Sequence, residues 1–157
     1  MSPATRPSLE RRTVNELQTL AFVERAENVF LLGPPGVGKT HLAIGLGMRA
    51  LQSGHRVYFL SAQDLLDQIR AAQLEGVPGH KQRHLVNVPL LIIDELGYVE
   101  FDKSAATWLF QLLCQRYECA STIITSNKPR RARKVYHRWA RENVPGVGGQ
   151  LKLYHLS

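Results

Sequence analysis

Residues 33–40 read GPPGVGKT, and this turn constrains the fold more than any other stretch of the chain. It lies between an apolar run, Asn28 to Leu32, and a segment from Lys39 to about Ser53. That segment sets Leu42, Ala43, Leu46 and Ala50 on one helical face and stops at Gly54. Gly and Pro build poor cores, so the turn is shaped for something else. Glycines admit positive φ and let the backbone come close to a ligand. A buried strand that ends in such a turn and restarts as a helix aims successive N–H groups, and the positive end of the helix dipole, at one concavity. An anion belongs there.

The spacing Gly33-x-x-x-x-Gly38-Lys39-Thr40 is that of a phosphate-binding loop. Gly33, Pro34, Pro35, Gly36, Val37 and Gly38 form the cradle. Lys39 supplies a point charge for β- and γ-phosphates, and the Thr40 hydroxyl is placed to ligate Mg²⁺. About fifty residues on, Leu90-Leu-Ile-Ile-Asp-Glu95 sets Asp94 at the carboxyl end of a fully buried strand, the ligand-binding edge of an α/β sheet. Asp94 there holds Mg²⁺, and Glu95 orients and deprotonates a water for attack on the γ-phosphate. A further strand, Thr122 to Thr125, ends at Ser126-Asn127, where the Asn127 amide can touch both the γ-phosphate and that water.

Guanine nucleotides also have to be considered. Asp94-x-x-Gly97 fits a GTPase switch, and Asn127-Lys128-x-Arg130 half-matches N-K-x-D. Guanine presents N–H donors that need a carboxylate, whereas Arg130 offers only donors. ATP is the better expectation.

Between these motifs the pattern alternates strand and helix. Thr13 and Glu16 have capping-box spacing ahead of Val14, Leu17, Leu20 and Ala21. Arg56 to Leu60 reads as a strand, and Ser61 with Asp64 caps a helix to about Leu74. Gly76 to Gln82 reads as a loop, Val88 to Ile93 as a strand, and Asp102 or Ser104 as the cap of a helix containing Ala105, Leu109, Leu112 and Leu113. The expectation is an α/β fold, a parallel sheet with helices on both faces. Its division is a lead-in with one short helix (1–27), a nucleotide-binding core (28–129) and a divergent tail (130–157).

Charge is uneven along the chain. Residues 1–127 carry 12 basic and 12 acidic side chains; residues 128–157 carry 8 basic and one acidic, the whole of the +7 net charge. Such clustering attracts nucleic-acid phosphates, or else solvates a tail. No apolar run approaches the ~20 residues of a membrane span, and the start lacks a secretory signal. Cys114 and Cys119 suit neither a disulfide framework nor a zinc site, so reduced thiols in the cytoplasm are expected. His80 and His84 read as a solvated pair in a loop, and Trp108 and Tyr117 as core or interface aromatics. Tyr136 and Trp139 amid basic residues fit either base stacking or a tail.

The chain resembles the IstB/DnaC-type branch of AAA+ ATPases, the transposition helpers and helicase loaders, across about residues 8–129. The matching runs are SLERR, RAEN with the apolar run, GPPGVGKTHLAIGLG, AAQLEG, LLIIDELGY, FQLLCQRYE and STIITSNKP. The resemblance implies a P-loop NTPase of AAA+ type. It makes residues 33–40 Walker A (with His41 beside it), Asp94 and Glu95 Walker B, and Asn127 sensor one. It further implies Mg·ATP-dependent homo-oligomeric assembly on DNA and contact with a transposase; a replicative helicase is the partner in the loader alternative. The expected departures are a short N-terminal segment and a missing lid and final strand after Pro129. No arginine finger can be chosen among Arg130, Arg131, Arg133, Arg138 and Arg141, a group worth ~10³–10⁵ in rate where present. A disordered or frame-shifted tail, and a remnant that binds nucleotide and DNA without hydrolysis, stay open.

Overall fold

The computed structural model describes residues 6–75, 80–97, 99–127 and 151–156. The elements run α1 (Arg6–Gln18), α2 (Ala21–Glu24), β1 (Asn28–Leu32), α3 (Lys39–Gln52), β2 (Val57–Ser61), α4 (Ala62–Glu75), α5 (His80–Asn87), β3 (Leu90–Asp94), α6 (Lys103–Arg116), β4 (Ser121–Ser126) and β5 (Leu151–His155). The five strands pair in the order β2-β3-β4-β1-β5, every neighbour parallel.

Burial follows the two-residue period of a strand. Val29, Leu31, Leu90, Ile92 and Ile123 face one side, packed by Ala43, Leu46 and Ala50 of α3 and by Leu17, Phe22 and Val23 of α1 and α2. Phe30, Leu32, Leu91, Ile93 and Ile124 face the other, packed by Leu65, Leu66 and Ile69 of α4 and Leu109, Leu112 and Leu113 of α6. A parallel sheet covered on both faces needs strands apolar at every position, and β1 and β3 are buried throughout. The expected P-loop α/β architecture is present.

Two of the three capping signals operate; the third, Thr13 with Glu16, falls inside α1 and caps nothing. Asp64 N–H donates to Ser61 Oγ at 3.0 Å, and Ser61 N–H returns to Asp64 Oδ2 at 3.4 Å. Of the two candidate caps for α6, Asp102 performs it, accepting from Ala105 N–H at 2.8 Å.

Three expectations change. The lead-in holds two helices, and α1 starts at Arg6, well before Thr13: Pro7 is tolerated in a first helical turn. The loop placed at residues 76–82 gives way to α5 from His80, so that His80 and His84 lie one helical turn apart. Among the described residues, no group of three or more His, Cys, Asp or Glu side chains could hold a metal ion. The tail, expected to lack a final strand, contributes β5, which pairs with β1 from Asn28↔Leu151 to Leu32↔His155. Its sequence LKLYH alternates: Leu153 packs on the α4/α6 side and Tyr154 on the α3 side. Lys152 Nζ lies 3.6 Å from Glu16 and 3.7 Å from Glu27, which ties β5 to α1 and to the entry of β1.

Cys114, half-buried, and Cys119, exposed beyond the end of α6, are not joined in a disulfide. No described helix is long and apolar enough to cross a membrane. The readings of Arg130, Arg131, Arg133, Tyr136, Arg138, Trp139 and Arg141 lie outside the described residues.

Candidate functional site

β1, β3 and β4 end together, because Leu32 registers with Ser126 and Ile93 with Ile124. The loop leaving β1 turns back over these ends. Gly36 (φ 82°) and Gly38 (φ 93°) take the left-handed conformation that side chains resist, and Gly38 begins α3 with no side-chain cap. The first turn-closing bond runs from Leu42 N–H to Gly38 C=O, so the earlier amides of the helix have no intrahelical acceptor. Gly33 is needed for a different reason. A Cβ there would sit 2.3 Å from the Leu156 carbonyl oxygen, because β5 passes directly beside the loop's first residue.

The loop faces a cleft of about 240 Å³ lined by Pro35, Gly36, Gly38, Lys39, Thr40, His41, Glu95, Thr125 and Asn127. Lys39 is only 8 % exposed, and its Nζ donates to the Pro34 carbonyl at 2.8 Å. Burial pushes its pKa below that of an ordinary lysine, while Asp94 and Glu95 pull it back up. A buried ammonium resting on one loop carbonyl is ready for an anion.

Opposite it, Thr40 Oγ1 lies 3.0 and 3.1 Å from the two oxygens of Asp94, which is itself buried. A hydroxyl and a carboxylate meeting at the rim of a phosphate cradle are the all-oxygen donor pair that suits a hard cation such as Mg²⁺. Thr125 Oγ1 donates to Asp94 Oδ1 at 2.5 Å and accepts from Glu95 N–H at 2.9 Å. Glu95 takes φ 64°, which turns the chain out of the strand, and its side chain is exposed where that of Asp94 is buried. Asn127, just past β4, has a buried Oδ1 with no hydrogen-bond partner. A buried acceptor left alone is costly, so a ligand or water donor fits that position.

The structure thus brings Lys39, Thr40, Glu95 and Asn127 around one opening, with Pro35, Gly36, Gly38 and His41 on its wall and buried Asp94 bonded to Thr40 beside it. Val37 packs inward against the α3-side core. The residue that the sequence did not single out is Thr125. Its signal was a polar side chain at the end of a strand that is buried at all six positions.

The profile of the IstB-like ATP binding protein family matches residues 4–139, past Pro129 and into the basic segment. A Geobacillus stearothermophilus protein of insertion sequence IS5376, named for ATP binding, is 50% identical over 122 residues, covering 78% of this chain and 49% of that protein. Its counterpart from IS21 of Pseudomonas aeruginosa is 49% identical over 122 residues, covering 78% of this chain and 46% of that protein. The chain therefore spans about half the length of the curated relatives it matches. Among solved structures, the DnaC helicase loader superposes with a TM-score of 0.74 at 25% identity, over 92% of this chain and 86% of that one. Domain III of the Thermotoga maritima replication initiation protein DnaA gives 0.76 at 19% identity, covering 98% and 63%, a likeness of fold. On the profile match and these identities, this chain belongs to the IstB-like ATP-binding family, built on the P-loop AAA+ fold.

Proposed function

We propose that the chain binds Mg·ATP and serves in the cytoplasm as the AAA+ core of a DNA-transposition helper, assembling with further copies on DNA and engaging a transposase. One observation carries the nucleotide reading: a loop lysine, a hydroxyl–carboxylate pair, an exposed glutamate and an unpartnered amide oxygen converge on a single cleft. In this reading the loop amides and Lys39 take the phosphates, and the ammonium exchanges the Pro34 carbonyl for a full counter-charge. Thr40 and Asp94 hold magnesium, which when bound neutralises phosphate charge. Glu95 accepts the proton of the attacking water. The Asn127 amide donates from Nδ2 to the γ-phosphate and accepts from that water at Oδ1. His41 is part of the wall and has no chemical role here.

The transposition reading draws on the two insertion-sequence relatives near 50% identity. The likeness to a helicase loader supports an alternative in which the partner is a replicative helicase and the nucleotide chemistry is unchanged. A binding-only role is favoured by one feature: Lys39 is the only lysine or arginine among the described residues lining the cleft.

Phosphate release with and without DNA, run beside sizing with nucleotide, separates these readings. DNA-stimulated release together with a nucleotide-dependent larger assembly is the expected result. Binding without release selects the binding-only role, and no binding at all overturns the reading. The DNA surface is tested by replacing Arg130, Arg131, Arg133 and Lys134 with Gln. Deleting the whole tail would also remove β5, whereas neutralisation spares it. Weaker DNA binding with a shallower salt dependence is expected, and an unchanged affinity would exclude that cluster.

A further inference from the structure

We infer that Thr125 is the positioning residue for both acidic groups at the end of β3, and that its hydroxyl governs how readily the site takes magnesium. The inference rests on the reading of Asp94 and Glu95 given above.

Thr125 is 1 % exposed, on a strand buried along its whole length. Valine would match its shape and suit a strand at least as well, so the hydroxyl is not required for β4 to form. Burying it unpaired would be unfavourable, and here it is fully used. Its one proton goes to Asp94 Oδ1 at 2.5 Å, and a lone pair receives Glu95 N–H at 2.9 Å. The carbonyl of the same residue accepts Leu96 N–H at 2.9 Å. Thr125 therefore clasps three consecutive residues, Asp94 by its carboxylate and Glu95 and Leu96 by their amides.

Thr40 cannot orient Asp94 in this way. Its hydroxyl lies 3.0 and 3.1 Å from the two carboxylate oxygens and has one proton to give, so it does not distinguish them. Thr125 contacts Oδ1 alone. It fixes the carboxylate plane and leaves Oδ2 as the oxygen for the metal's shell. The same hydroxyl holds the amide of Glu95 at φ 64°, the left-handed turn after which that side chain emerges at the cleft. Both acids are thus aimed by one side chain, which lines the cleft beside Glu95.

The test is retention of a fluorescent ATP analogue by the full chain, titrated with Mg²⁺, for wild type, Thr125→Val and Thr125→Ser. Loss of an outer partner of a metal-binding carboxylate costs about 10–100-fold in metal affinity. Thr125→Val should therefore need at least about tenfold more Mg²⁺ for half-maximal binding. Thr125→Ser, which restores a hydroxyl without the methyl, should return the Mg²⁺ midpoint. A purely packing role predicts the reverse, with Ser damaged and Val tolerated. If Thr125→Val fails to fold, Thr125→Ala takes its place in the same titration. An unchanged Mg²⁺ midpoint without the hydroxyl, or no rescue by Ser, overturns the inference and leaves the nucleotide reading standing. A wild type that retains no nucleotide at any Mg²⁺ concentration sinks both.

Discussion

Arg116 is the most consequential buried residue outside the cleft, and replacing it with Met tests how the sheet is held in register. Its side chain is fully buried (0 % exposed) at the end of α6. Nη1 donates to the carbonyls of Leu85 at 2.7 Å, Val88 at 2.8 Å and Val86 at 3.2 Å; Nη2 donates to Ser121 O at 2.6 Å and Nε to Thr122 Oγ1 at 2.9 Å. One guanidinium thus joins the end of α5, the approach to β3 and the first residues of β4, the strands that lead to Asp94 and Asn127. Burial pulls its pKa down to about 10, so it remains charged at neutral pH.

Arg116→Met leaves the carbonyls of Leu85, Val88 and Ser121 without their short bonds. Each buried acceptor so orphaned costs about 1–3 kcal/mol. Removing a desolvated charge offsets part of this sum, and the net expectation is a loss of about 3–5 kcal/mol, the lower half of the range for three such orphans. That is a large share of a stability of roughly 5–15 kcal/mol. Arg116→Lys should recover little, because a single ammonium cannot span the fork. Urea unfolding followed by circular dichroism reads the change as a shifted midpoint at constant slope. A loss below about 1 kcal/mol, within the net worth of one ordinary hydrogen bond, would refute the view that this guanidinium is a structural hub.

Other substitutions probe other parts of the account. Gly33→Ala drives a Cβ to 2.3 Å from the Leu156 carbonyl oxygen; thermal melts should show a loss of about 1–3 kcal/mol as β5 is pushed off. Asp102→Ala removes the α6 cap and should cost about 1 kcal/mol in the same assay. Glu95→Gln should keep ATP affinity and abolish any phosphate release, read by a coupled phosphate assay; unaltered turnover would remove Glu95 from the chemistry. Because Lys39 sits below the ordinary lysine pKa in the free site and a bound triphosphate restores its charged form, binding takes up a proton at alkaline pH. ATP affinity should then fall as pH rises through the lowered Lys39 value, and calorimetry in two buffers of different ionisation enthalpy should register the proton.

The cleft was largely readable from residue order because its parts are local. Residues 33–40 carry their own geometry, and Asp94, Glu95 and Asn127 need only a parallel sheet to bring their strand ends together. Three features resisted for physical reasons. The strand β5 is five residues of plain alternation behind a glycine-rich run, and its identity depends on pairing with β1, over a hundred residues earlier. The helix α5 carries only two apolar residues, Leu85 and Val86, and its end is fastened by Arg116 from another helix. Thr125 looks like an ordinary strand residue until the register of β3 and β4 places its hydroxyl against Asp94. Long-range pairing decides all three, and a single sequence carries no direct record of it.

The central claim is that the loop over β1 closes on a magnesium-bound adenine triphosphate. Equilibrium calorimetry of the full chain with ATP and Mg²⁺, repeated for Lys39→Ala and with GTP in place of ATP, tests it most directly. The account predicts saturable binding of ATP by wild type, none by Lys39→Ala, and weaker binding of GTP. Absence of a binding isotherm for wild type, or undiminished affinity in Lys39→Ala, would contradict it.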